Sequence, residues 1–82
     1  MSKNERKTIG IGLLGLGTVG SGVVKILKSE RSAIEKKTGL RLELRRVCVR
    51  SLTKKRPVHV PKNILTTRAL SVVNDPSVDV LV

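Results

Sequence analysis

Residues 8–14 alternate, with Ile9, Ile11 and Leu13 on one side and Gly10, Gly12 and Leu14 on the other. A period of two over this length predicts a β-strand with an apolar face. Glycine by itself only weakens a strand, so the Gly10–Gly12 side predicts a helix backbone packed close against it. From Thr18 the period lengthens. Val19, Val23, Ile26, Leu27 and Ile34 recur at steps of three and four or their multiples, which predicts a helix with these residues on its buried stripe. Lys25, Lys28, Arg31 and Glu35 lie mostly away from that stripe. The stop is well marked. Lys36 and Lys37 complement the carboxyl end of the helix dipole, and Gly39 suits the left-handed residue that follows it.

Leu40, Leu42 and Leu44 alternate with Arg41, Glu43 and Arg45, the pattern of a half-exposed strand. The strand then becomes continuously apolar at Val47, Cys48 and Val49, as one covered on both faces would. Residues 50–63 carry Pro57 and Pro61 and read as loop. A short strand is expected at residues 64–67, one or two helical turns at 69–74, a stop at Asp75-Pro76, and a further β-branched strand at 78–82. This succession predicts an α/β chain: a Rossmann-like, doubly wound parallel sheet whose first strand lies between the second and the fourth. Ending within an apolar run, the chain is expected to hold only the first half of such a sheet. Residues 1–7 then form a polar lead-in, and residues 8–82 a partial dinucleotide-binding domain.

The dinucleotide reading comes from the turn between the first strand and the helix. Gly15, Leu16, Gly17, Thr18, Val19 and Gly20 spell G-x-G-x-x-G, with a strand leading in and a helix leading out. Gly15 would allow the sharp turn, Gly17 the approach of a pyrophosphate to the backbone, and Gly20 close packing of helix on strand. Amides near Thr18 and Val19 would stand at the positive end of the helix. The bland alternative is a tight turn without a ligand. An ATPase-type phosphate loop is excluded, because Ser21-Gly22 occupies the place of the required Lys-Ser/Thr. At the end of the second strand an NAD site places an acid for the ribose hydroxyl, whereas this chain has Val49-Arg50-Ser51 and no acid until Asp75. Arg50 and Lys54, ahead of Lys55 and Arg56, instead suit a 2′-phosphate, which favours NADP with NAD possible. A merely solvated basic loop is the alternative.

Charge and composition narrow the partners. Seventeen Lys and Arg against six Asp and Glu leave a formal charge of +11, which calls for an anionic partner or an acidic remainder. Phe, Tyr and Trp are absent, so the core is aliphatic and no stacking platform for single-stranded nucleic acid can be built. The charge is spread over helix, strand and loop, and no nucleic-acid motif is present; a small basic nucleic-acid-binding protein is the weaker alternative. One cysteine, Cys48, excludes an internal disulfide and reads as a buried, inert thiol. His59 reads as a surface residue, and Glu30, Glu35 and Glu43 as helix-face and strand-face charges. The uncharged run up to Val24 falls short of the ~20 residues of a membrane span. Lys3, Arg6 and Lys7 ahead of it imitate a secretory signal. Its glycine content and the lack of a cleavage site favour the cytoplasm, so no membrane partner is expected.

The run from Ile11 to Val24, with its G-L-G-T-V-G core, resembles the cofactor turn of the homoserine dehydrogenases. The likeness continues through Val49 to Pro57, Ile64 to Thr67 and Asn74 to Val82, and so covers essentially the whole chain after residue 8. The resemblance implies NAD(P)-linked interconversion of L-homoserine and L-aspartate 4-semialdehyde, on the route to threonine, methionine and isoleucine. It implies that backbone around Gly15 to Val19 holds pyrophosphate and that Arg50 and Lys54 match the family's 2′-phosphate contacts. Ser51 stands where relatives often carry Asp, which leaves the basic loop without a counter-charge. The family's catalytic lysine, substrate carboxylates and dimer-forming domain would lie beyond residue 82, with a homo-oligomer expected for the full-length enzyme. No fused aspartokinase is expected in front. The remaining alternative is a truncated fragment without activity of its own.

Overall fold

The computed structural model, described for residues 7–52 and 58–82, is an open parallel sheet with a helix packed on each face. Strand β1 (Lys7–Leu13) is followed by helix α1 (Thr18–Thr38) and strand β2 (Leu40–Cys48). A single 3-10 turn, Lys62–Ile64, leads into β3 (Leu65–Thr66), then helix α2 (Ala69–Val73) and β4 (Val80–Leu81). The sheet order is β3-β2-β1-β4, so β1 lies between β2 and β4 as the succession of elements predicts. β4 is shorter than the expected 78–82. Among the described residues no helix is long and apolar enough to cross a membrane.

α1 ends where its signals place the end. Gly39 adopts φ 73°, and its N–H donates to the Glu35 carbonyl at 2.9 Å. Its inward face, however, differs from the predicted stripe. Gly20, Val24 and Leu27 are buried, while Val19 is 70% and Ile26 53% exposed. The cause lies at the helix start. A Cβ on Gly20 would collide with the Gly15 carbonyl, so Gly20 is the residue that seats α1 against the turn. Seating Gly20 points Val24 and Leu27 inward at steps of four and three, and Ile26, about 200° of helix turn from Val24, faces solvent.

A β-bulge resolves the change of pattern in β2. The register runs Ile11 opposite Leu44 and then Gly12 opposite Arg46, leaving Arg45 as the extra residue. One inserted residue shifts the alternation by one, so Leu42, Leu44, Val47 and Val49 all join the core beneath α1. The run at residues 47–49 therefore alternates between the two faces of β2, against which α1 and α2 pack. Cys48 is half-buried instead of buried because it points to the other face. The α1 side of the sheet holds Ile11, Leu13, Val24, Leu27, Val47, Val49, Val60 and Leu65, an aliphatic core throughout.

On the opposite face the two β1 glycines have neighbours, though not a helix backbone. A Cβ on Gly12 would come within 2.6 Å of the Val72 side chain on α2 and 2.9 Å of Val78. One on Gly10 would overlap the Ser77 carbonyl in the turn after α2. That turn is fastened at both ends. Asp75 accepts hydrogen bonds from the Ser77 N–H (2.8 Å) and hydroxyl (2.6 Å) and pairs with Arg46 Nε at 3.0 Å. The Asp79 carboxylate accepts from the Gly10 N–H at 2.7 Å, and the Asp79 N–H donates to the Gly10 carbonyl at 2.7 Å. These bonds set β4 beside β1.

Candidate dinucleotide site

β1 and β2 are adjacent and parallel, with Leu13 opposite Val47, so their carboxyl ends open on one edge of the sheet. The turn after β1 lies on that edge. Gly15 has φ 149°, a conformation that side chains oppose, which accounts for glycine at the head of the motif. Gly17 is the amino-terminal cap of α1, extended at φ −73° and ψ −159°, and supplies no capping side chain. The first α-helical bond is Ser21 N–H to the Gly17 carbonyl at 2.9 Å. The amides of Thr18, Val19 and Gly20 precede it and have no partner within the helix. No acidic residue stands in the first turn of α1 to occupy them.

A Cβ built on Gly17 would meet nothing within 4 Å. Its missing side chain therefore serves no packing among the described residues, unlike that of Gly20. Beside Gly17 runs an open groove of about 400 Å³, lined by Leu16, Gly17, Thr18, Ser21, Gly22 and Lys25. Uncapped amides, a helix dipole and a backbone bare of side chains are together what an anionic group needs to come close. Sequence reasoning missed two residues here. Ser21 is buried, and its Oγ donates to the Leu16 carbonyl at 3.0 Å, pinning the turn to the first helical turn. Lys25 extends the groove. A small polar residue directly after Gly20 was the available signal for Ser21, and nothing in the sequence marks Lys25 out from other helix lysines.

Of the remaining predicted residues, Thr18 and Val19 are exposed at the helix start. Arg50 is exposed just past the end of β2, on the same sheet edge as the turn. Lys54, like Lys55 and Arg56, lies outside the described residues. His59 is exposed, as expected, and its carbonyl accepts from Lys28 Nζ at 2.7 Å. Glu43 bridges Arg41 and Arg45 at 2.9 Å each, a strand-surface role. Among the described residues there is no group of three or more His, Cys, Asp or Glu placed to hold a metal ion.

Comparison with known proteins settles the family. The model of the homoserine dehydrogenase NAD-binding domain matches residues 15–82. The chain belongs to this family. Homoserine dehydrogenase of Bacillus subtilis is 47% identical over 76 residues, which are 93% of this chain and 18% of that protein. Homoserine dehydrogenase of Synechocystis sp. is 47% identical over 77 residues, covering 92% of this chain and 17% of that one. A crystal structure of S. aureus homoserine dehydrogenase, at pH 8.5, superposes with a TM-score of 0.83 and 39% identity over 94% of this chain and 19% of that chain. The chain thus spans under one fifth of the length of these homoserine dehydrogenases. The Rossmann-like α/β sheet of the family is the fold described above.

Proposed function

We propose that this chain is the cofactor-binding segment of a homoserine dehydrogenase, holding the pyrophosphate of a nicotinamide dinucleotide on the backbone of Gly15 to Gly20. The observation that carries the reading is Gly17, at the mouth of an uncapped helix, with open space where a side chain would stand. Family membership supports it, and Arg50 at the end of β2 favours NADP over NAD, since a 2′-phosphate gains charge-assisted bonds there while a bare hydroxyl finds no carboxylate. When bound, the nicotinamide supplies hydride acceptance and donation between homoserine and aspartate 4-semialdehyde. The chain's own residues bind and orient: amides of Thr18 and Val19 face the phosphates, Ser21 keeps the turn in register, and Arg50 and Lys54 select the adenosine end.

The test is calorimetric titration of the chain with NADP+ and NAD+, repeated for Gly17→Val. Among the described residues nothing opposes a side chain at this position, so the variant should fold with an unchanged circular dichroism spectrum. It should nevertheless lose both ligands, because the new side chain occupies the approach to the backbone. A Gly17→Val variant that binds normally would mean that the turn is only a turn.

A further inference from the structure

We propose that Arg68 is a specificity-determining residue of this site, meeting the adenosine 2′-phosphate from the end of β3 as Arg50 does from the end of β2; this rests on the dinucleotide reading above. β2 and β3 are parallel neighbours with Cys48 opposite Thr66, and each arginine stands two residues past that pair. Both therefore leave the sheet at the carboxyl edge that carries the glycine turn. Thr66 ties the two exits together. Its carbonyl accepts from the Val49 N–H at 2.8 Å, one residue before Arg50, and its hydroxyl accepts from the Arg68 N–H at 3.1 Å. These bonds keep the backbone nitrogens of Arg50 and Arg68 no more than about 14 Å apart. Two arginine side chains are long enough to span that gap with a phosphate held between them.

Charge points to the ligand. Arg50 and Arg68 are both exposed, and neither guanidinium has an ion pair or hydrogen bond among the described residues. No acid occurs between Glu43 and Asp75. Glu43 is held by Arg41 and Arg45, and Asp75 by Arg46 and Ser77. Like charges on neighbouring strands repel, so this pair, without a counter-charge beside it, is placed to favour a bound anion. The order β3-β2-β1 says which one. Strands are spaced about 4.8 Å apart, so Arg68 lies roughly 10 Å along the edge from the turn after β1, on the far side of β2. A pyrophosphate on the Gly15–Gly20 backbone is therefore not its partner. A dinucleotide laid from that turn toward β2 brings its adenosine end, and with it the 2′-phosphate, to Arg50 and Arg68. A dianion between two guanidinium forks gains charge-assisted bonds from both.

NADP+ and NAD+ differ only in the 2′-phosphate, so their dissociation constants are the readout, measured on the whole chain carrying Arg68→Ala, Arg68→Lys or Arg68→Glu. Arg68 is exposed, and its backbone N–H makes the bond to Thr66, so the variants should keep the wild-type circular dichroism spectrum. Arg68→Ala should weaken NADP+ about two- to fivefold, the size of one exposed charge pair, and leave NAD+ unchanged. Arg68→Lys should recover part of that loss, since a point charge replaces a fork. Arg68→Glu should weaken NADP+ further than alanine does while NAD+ holds, because the carboxylate repels the phosphate and competes for Arg50. Equal losses for the two nucleotides would assign Arg68 to the adenine or to the backbone around it, and no loss for either would leave it a solvated side chain. Both results overturn the proposal and leave the pyrophosphate site standing. Wild-type chain that binds neither nucleotide would overturn the dinucleotide reading itself, and Arg68 with it.

Discussion

Arg50 is exposed at a sheet edge, and that exposure sets the scale of what it can contribute. Charge-assisted hydrogen bonds of about 1.5–3 kcal/mol would correspond to roughly 10–150-fold in affinity, reduced by solvent and salt at an open loop. Arg50→Ala is expected to weaken NADPH by the lower part of that range and NADH hardly at all. Lys54→Ala should act in the same sense but less, since a lysine offers a point charge and not a fork. Fluorescence titration of both reduced cofactors checks this, and equal losses would assign Arg50 a structural role. Asp75 gives a second residue-level expectation. The Ser77 hydroxyl and then its amide hold the Asp75 carboxyl below the usual value of 3.8; desolvation opposes them, and Arg46 adds smaller lowering contributions. The folded chain then binds this proton less readily than the unfolded chain does. Its stabilisation is complete above the unfolded value and is lost as pH falls through the folded one. Urea midpoints measured from pH 6 down to pH 3 should fall at the acid end, and Asp75→Asn should flatten that part of the profile.

At the scale of elements, Gly12 of β1 and Gly22 of α1 are glycines in opposite surroundings. Gly12 is close to Val72 and Val78, so Gly12→Val must displace α2 or the turn before β4 and should cost about 1–3 kcal/mol. Gly22 sits in the exposed flank of a helix with open space beside it, so Gly22→Ala should stabilise by up to about 1 kcal/mol. Thermal melts of the two variants, expected to move in opposite directions, provide the check. The glycine content of both segments was plain in the sequence, and so were the ends of α1, since Thr18 and Gly39 act within a few residues of themselves. The buried face of α1 was not. Periodicity selects a set of apolar residues, but Val19 and Ile26 satisfy that pattern as well as Val24 does. The choice between them is made by contact of Gly20 with the Gly15 carbonyl. The bulge at Arg45 was equally hidden, because an inserted residue is defined only by the partner strand it fails to match.

For the whole molecule, a charge of +11 on 82 residues opposes compaction. Screening should relieve it, so the melting temperature is expected to rise between about 20 and 300 mM sodium chloride, over which range the Debye length falls severalfold. The same salt should weaken NADPH binding more than NADH binding, because only the former depends on Arg50 and Lys54. A chain whose melting temperature ignores salt would show that its cations are already well separated. Homoserine turnover by the chain alone is expected to stay at background, since the groove beside the turn is lined without a carboxylate or an imidazole. A cofactor-dependent rate would refute its assignment as a binding segment. What the sequence by itself determined is the set of local decisions: the order of strands and helices, the glycine turn, the end of α1, and through those the parallel α/β sheet. Each depends on residues a few positions apart, where period, dipole and glycine freedom act without help from the rest of the fold. The tertiary structure alone decided which side of α1 is buried, which neighbours fill the faces of Gly10 and Gly12, and that Asp79 ties β4 to β1 at Gly10 across 69 positions. Those outcomes depend on surfaces that meet only after the chain has crossed over its own sheet, and no local pattern encodes which atoms arrive there.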